Sequence, residues 1–152
     1  NIEEFNKLVK KKSFYEYAKI FNNFYGTSKE LVLKLLSEGK DVLFDIDWQG
    51  TQQLKKIQNL SLVTIFVLPP NIQILKERLL NRHKGQDKMI QERMNKFNEE
   101  VSHWNEYNYV VVNDVLSKCY DKILDIIISE KKGIIKKQNL SEIENRVKEL
   151  TK

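Results

Sequence analysis

The sequence predicts an α/β fold in which a parallel sheet is covered by helices on both faces, with two smaller subregions attached. Apolar runs of strand length alternate with segments of helical spacing, the rhythm of βαβ units. The longest of those runs are continuously hydrophobic rather than alternating, as strands buried on both sides are. The chain has 152 residues, 41% of them hydrophobic and 31% charged, with only 5 Gly and 2 Pro. That is about one domain's worth of a globular protein rich in regular structure, and it excludes a disordered or low-complexity chain.

The elements follow in order. Phe14 to Tyr25 (FYEYAKIFNNFY) alternates and predicts a small, half-exposed hairpin belonging to its own subregion. Thr27-Ser28-Lys29-Glu30 has the form of a capping box before Leu31, Val32, Leu35 and Leu36, so a helix is expected from Ser28 to Glu38, ended by Gly39. Asp41 to Ile46 (DVLFDI) and Leu62 to Leu68 (LVTIFVL) predict buried strands, and Tyr109 to Val112 a third. Pro69-Pro70 stops the second and leads into a helix from Ile72 to Arg82, after which His83-Lys84-Gly85 breaks the period. Ile90, Met94, Phe97, Val101 and Trp104 place an amphipathic helix over Asp87 to Asn105 with an Asp cap. Leu116, Tyr120, Ile123 and Ile127 repeat the pattern, with Asp114 placed to cap it, and Ile143, Val147 and Leu150 predict a terminal helix. No internal repeat is present.

The longest apolar run, Leu62 to Leu68, is far shorter than the ~20 residues that span a bilayer. Lys plus Arg, 26, against Asp plus Glu, 21, leaves a net charge of +5, which favours an anionic partner without choosing one. The single cysteine, Cys119, forms no internal disulfide, and with His83 and His103 alone there is no Cys/His zinc spacing, so a reducing cytoplasm is expected. Cys119 and His103 are expected to serve packing.

Three constellations carry chemistry. Asp45-Ile46-Asp47-Trp48-Gln49-Gly50 ends the first predicted sheet strand, where ligands of open parallel sheets bind. Its carboxylates could hold Mg²⁺ through water or accept ligand hydrogen bonds, and the plainer reading, that one caps the next helix and the other meets a buried Lys or Arg, weighs about equally. Arg78, Arg82, His83, Lys84, Lys88 and Arg93 form a basic set, with Arg78 and Arg82 on one helix face. It suits polyphosphate, although alone such a set is more often a solvated face. Glu16 with Tyr25, Gly26, Thr27 and Ser28 is the third. Guanine presents its N1 proton and exocyclic amine side by side, which one carboxylate accepts together, and a hydroxyl of Thr27 or Ser28 could donate to O6; the plainer reading, which chemistry alone does not overturn, makes Glu16 a strand surface residue and Thr27 merely the helix cap.

Taken in order, SFYEYAKIFNNFYGTS, DVLFDIDWQG, IFVLPP, the arginine spacing in ERLLNRHKGQDKMIQERM, and VVVND resemble guanylate kinases, from Ile2 to Gly133. The resemblance implies a P-loop nucleoside monophosphate (NMP) kinase fold in which residues 1–40 form part of a GMP-binding region, 41–75 and 107–152 the core, and 76–106 a lid. It implies the substrates GMP and ATP, with Mg²⁺. Glu16 and Asp47 would then read the guanine edge, Thr27 would help at the base, and Tyr25 would touch the GMP phosphate. Asp45 would stand beside the metal, through water, and Arg78, Arg82 and Arg93 would embrace the phosphates. Asn113 and Asp114 would line the adenine site.

The family opens with a strand and a GxxGxGK[ST]-type loop, and no such loop occurs in these 152 residues. The expectation is that the natural protein carries a further N-terminal segment, without which the sheet has a central gap and phosphoryl transfer is not expected. The runner-up function is a noncatalytic guanylate-kinase-like module that binds phosphopeptides. It would have little use for the three arginines. A basic nucleic-acid binder is remote, because no groove-reading motif is present.

Overall fold

A computed structural model describes residues 1–83 and 86–152. The chain divides into two units, Asn1–Leu62 and Val63–Lys152.

The first unit is built on an antiparallel hairpin, β1 (Phe14–Ile20) and β2 (Asn23–Ser28), as the alternating sequence predicts. It is preceded by a helix that the sequence reading did not include, α1 (Ile2–Lys10), capped by Asn1, whose side chain accepts from the Glu4 amide at 2.9 Å. Glu3 and Glu4 in its first turn and Lys7 and Lys10 in its last oppose the helix dipole. Phe5 of α1 lies on one face of the hairpin, with ring centroids 5.1 Å from both Phe14 and Phe24. Gly26 makes room for this cluster, since a Cβ there would stand 2.9 Å from the Phe14 ring. Because side chains alternate along a strand, Glu16 and Ala18, paired with Thr27 and Tyr25, occupy the opposite face.

After the hairpin comes α2 (Lys29–Ser37). Its cap is Ser28 rather than Thr27, with the Ser28 hydroxyl accepting from the Leu31 amide. The helix stops at Gly39, whose φ of +73° lets Gly39 and Lys40 donate back to the carbonyls of Leu36 and Leu35. The strand predicted over Asp41 to Ile46 is absent. No described residue offers this segment a backbone ladder, and a strand exists only as part of one. Its burial alternates along the chain, and Leu43 is 86% exposed. Asp47 then caps α3 (Trp48–Lys55), accepting from the Gly50 amide at 3.1 Å.

The second unit holds a parallel pair, β3 (Ile65–Leu68) and β4 (Tyr109–Val112), in the register Ile65 to Tyr109 through Leu68 to Val112. β3 begins three residues later than its apolar run. At Thr64 the chain is held by Asn108 instead, whose side-chain oxygen accepts from the Thr64 amide and hydroxyl at 3.0 and 2.8 Å. The helices of this unit are α4 (Ile72–Arg82), α5 (Asp87–Val101), α6 (Leu116–Lys131) and α7 (Leu140–Leu150), with a 3₁₀ turn at Trp104–Glu106.

Helices cover both faces of this pair. On one face Leu68 and Val110 pack with Val101 of α5 and Leu150 of α7, joined by Phe97, Ile143 and Val147. On the other, Tyr109 and Val111 meet Cys119 and Ile126 of α6. Burial is incomplete, with Val67 47% exposed. The free edge of β4 is closed by one side chain. Tyr109 and Asn113 donate toward β3, so Val110 points the other way, where the Gln138 amide accepts from its N–H and donates to its carbonyl, both at 2.8 Å.

Two predicted caps are not found. Asp87 is the first residue of α5 rather than its cap, and α6 is preceded by Val115, with no side-chain cap from Asp114. α5 also ends at Val101 instead of Asn105, the chain passing into the 3₁₀ turn. α4 matches its prediction, capped by Asn71. The break predicted at Lys84-Gly85 lies outside the described residues. Among those described, no helix is long and apolar enough to cross a membrane.

Candidate active site

In the first unit a buried carboxylate sits where hairpin and helix meet. Glu16 is 3% exposed, and its Oε1 accepts from the Thr27 hydroxyl at 2.5 Å across the strand pair. Its Oε2 lies over Gly50 of α3, so close that a Cβ on that residue would stand 2.8 Å away. Asp47 meets the same glycine through its amide, and its second oxygen accepts from the Gln49 side chain at 3.4 Å. The two carboxylates predicted to read a base therefore converge on Gly50. Tyr25 shares the hairpin face with Thr27 and Glu16 and is 52% exposed, a polar tip at the rim of a buried acceptor. While Thr27 donates to Glu16, its proton is not available to a ligand oxygen, although its lone pairs are.

Asp45 is exposed, and its side chain makes no hydrogen bond or ion pair with the described residues. No group of three His, Cys, Asp or Glu able to enclose a metal ion occurs among them. A lone, unengaged carboxylate fits Mg²⁺ held through water, because that ion keeps much of its hydration shell and takes few protein oxygens.

In the second unit Arg78 donates to the carbonyl of Asn113 at 2.8 Å and to that of Asp114 at 3.2 Å. Three predicted residues meet here, held by the arginine fork and the backbone rather than by the Asn and Asp side chains. Arg82, His83 and Arg93 form a second basic group. Burial, then the Arg93 and Arg82 guanidinium groups, hold the His83 imidazole below its ordinary value of 6.5. Its Nε2 is buried without a hydrogen-bond partner among the described residues. Cys119 is buried in the α6 layer, and His103 faces Glu106 at 2.6 Å. Lys84 lies outside the described residues.

The sequence reading missed what α3 does for Glu16. Gln53 pairs with the backbone of Tyr17, donating to its carbonyl at 2.7 Å and accepting from its amide at 3.1 Å. A glycine in the first helical turn was the available signal for Gly50. Nothing comparable marks Gln53.

A basic helical excursion inserted between two parallel strands, themselves covered on both faces, makes this an α/β protein and agrees with the nucleoside monophosphate kinase type that the sequence resembles. The guanylate kinase family model matches residues 1–130. The guanylate kinase of Rickettsia prowazekii (strain Madrid E) is 52% identical over 128 residues, 84% of this chain and 64% of its own length. That of Paramagnetospirillum magneticum is 45% identical over 130 residues, 86% and 61% of the two chains. The crystal structure of guanylate kinase from Anaplasma phagocytophilum superimposes with a TM-score of 0.68 at 29% identity, covering 84% of this chain and 61% of that one. The chain belongs to the guanylate kinase family. It spans a little under two thirds of the length of these curated relatives.

Proposed function

We propose that the protein transfers the γ-phosphoryl group of ATP to GMP, giving GDP and ADP, in the purine nucleotide metabolism of a reducing cytoplasm. A phosphate oxygen of GMP forms the new P–O bond as the bond from the γ-phosphorus to the β,γ-bridging oxygen breaks. Catalysis of this kind is positioning plus neutralisation of charge on the phosphoryl oxygens, with little covalent work for the protein.

The observation that carries the reading is the buried Glu16 carboxylate, with Thr27 as its only donor among the described residues and acceptor capacity left over. Burying a charge is costly unless it is paired, and the N1 proton and exocyclic amine of guanine supply two donors in the spacing a carboxylate accepts. Asp47 supports the same edge, and Tyr25 at the rim reaches toward the GMP phosphate. Arg78, Arg82 and Arg93 take the phosphates, and Asn113 with Asp114 the adenine. Mg²⁺, when bound, would neutralise phosphoryl oxygens, with Asp45 holding one of its waters.

Glu16→Gln tests the reading. By calorimetry the variant should bind GMP about 10- to 100-fold more weakly, the worth of hydrogen bonds to a charged group, while its ATP affinity holds. An equal loss for both nucleotides refutes base reading by Glu16.

A further inference from the structure

We propose that Gln53 is the positioning residue for the base-reading carboxylate, setting the height of Glu16 over the first turn of α3. The inference rests on the role given to Glu16 above. Among the described residues β1 has a strand neighbour on one side only. Tyr17, opposite Gly26 in the ladder, turns its N–H and C=O to the free edge, and there the Gln53 amide takes both, at 3.1 and 2.7 Å. Two opposed hydrogen bonds from one planar group fix the strand along its axis as well as across it. Nε2 also lies 3.3 Å from the Gln49 carbonyl, tying the side chain to its own helix. Glutamate lacks the donor, lysine lacks the acceptor, and asparagine is one methylene short.

Tyr17 directly follows Glu16, so anchoring its peptide places the Glu16 backbone. On the same helix, three residues before Gln53, Gly50 supplies the seat under Oε2. Positions i and i+3 share a helix face, so α3 holds the strand with one residue and receives the carboxylate with the other. A base edge is read within a hydrogen-bond window of about 0.5 Å, which makes this registration matter. The Tyr17 edge is exposed. Water can therefore replace Gln53 there, which keeps the fold but loses the register.

GMP and IMP separate the possibilities, because guanine offers the carboxylate two donors and hypoxanthine one. Both are titrated calorimetrically into the full 152-residue chain, as wild type, Gln53→Met, Gln53→Glu, Glu16→Ala and the Glu16→Ala/Gln53→Met double variant. Gln53→Met should lower the GMP-to-IMP affinity ratio by about fivefold or more. Gln53→Glu, whose second carboxylate oxygen would meet the Tyr17 and Gln49 carbonyls in place of a donor, should lower the ratio at least as far, and it carries the test if the methionine variant does not fold. In the Glu16→Ala background the second change should alter the ratio no further. A wild-type preference that survives in the Gln53 variants overturns this proposal alone. So does an equal, additive loss of both nucleotides, which marks a merely structural role. A wild-type chain without preference, or without binding, removes the base-reading role of Glu16 and this proposal with it.

Discussion

Alanine at position 50 should impair nucleotide recognition more than it impairs folding. Its Cβ would stand 2.8 Å from Glu16 Oε2 and 3.2 Å from the Ile46 Cβ and Cδ1 atoms. Carbon–oxygen contacts settle near 3.3 Å or beyond, so the carboxylate must retreat by about 0.5 Å. Gly50 lies within α3, where replacing glycine by alanine gains about 0.8–1 kcal/mol of intrinsic helix propensity. Overpacking costs about 1–3 kcal/mol, so the net effect on stability runs from roughly nothing to a loss of about 2 kcal/mol. Binding has no such offset. Hydrogen bonds to a charged group are worth about 1.5–3 kcal/mol, and a carboxylate driven out of line forfeits most of that, or about 10- to 100-fold in GMP affinity. Urea unfolding gives the first quantity and calorimetric titration with GMP the second. Glu16→Asp, one methylene shorter, should relieve the clash, so the double variant loses less stability than the two single losses combined. A folded Gly50→Ala protein that binds GMP like the wild type would refute the reasoning.

Two further outcomes follow from the second unit. Gln138→Ala strips both partners from Val110 on the free edge of β4 and should cost about 1–3 kcal/mol, with faster hydrogen exchange at the Val110 amide. Unchanged exchange there would show that the edge is not held by Gln138. His83, held below 6.5 first by burial and then by Arg93 and Arg82, takes up a proton less readily folded than unfolded. Its contribution to stability is thus complete above that value and is lost as pH falls toward and through the lower folded value. Between about pH 7.5 and pH 5 the wild type should lose more unfolding free energy than His83→Gln, and equal losses would show that the imidazole is not the titrating group.

Where the signal was local, the sequence could be read closely. The alternation of Phe14 to Tyr25, the apolar Tyr109–Val112, and Gly39 after α2, with its φ of +73°, mark elements through properties of a few neighbouring residues. Asp41 to Ile46 failed because pairing is a long-range property: an apolar run says what a strand needs, not whether a partner is present. Thr27 failed as a cap for a tertiary reason, its hydroxyl being taken by Glu16 across the hairpin, which left Ser28 to cap α2. In α1 the local signal was there, Asn1 before Phe5, Leu8 and Val9, but one short amphipathic turn pattern is weak against the stronger hairpin beside it. Glu16 stood out by residue type and hairpin setting, but its burial against Thr27 is a tertiary fact that the strand's alternation alone does not carry. Gln53 and Gln138 did not stand out, since a polar side chain lying along a strand edge leaves no periodic trace.

Those two glutamines do the same work in different units, and the means matters at Glu16. A sheet edge closed by another strand is held by a ladder of bonds and moves only as a whole. An edge closed by a single amide is held by two bonds, each worth about 1 kcal/mol net, so the restraint on Tyr17 amounts to roughly 2 kcal/mol. That biases the strand strongly toward one register, about 30-fold over a slipped one, without locking it. In the proposed role of Glu16, binding energy from two guanine donors is of comparable size, so an occupied carboxylate would tighten its own seat. The expected signature is that GMP slows hydrogen exchange at the Tyr17 amide in the wild type and fails to do so in Gln53→Met.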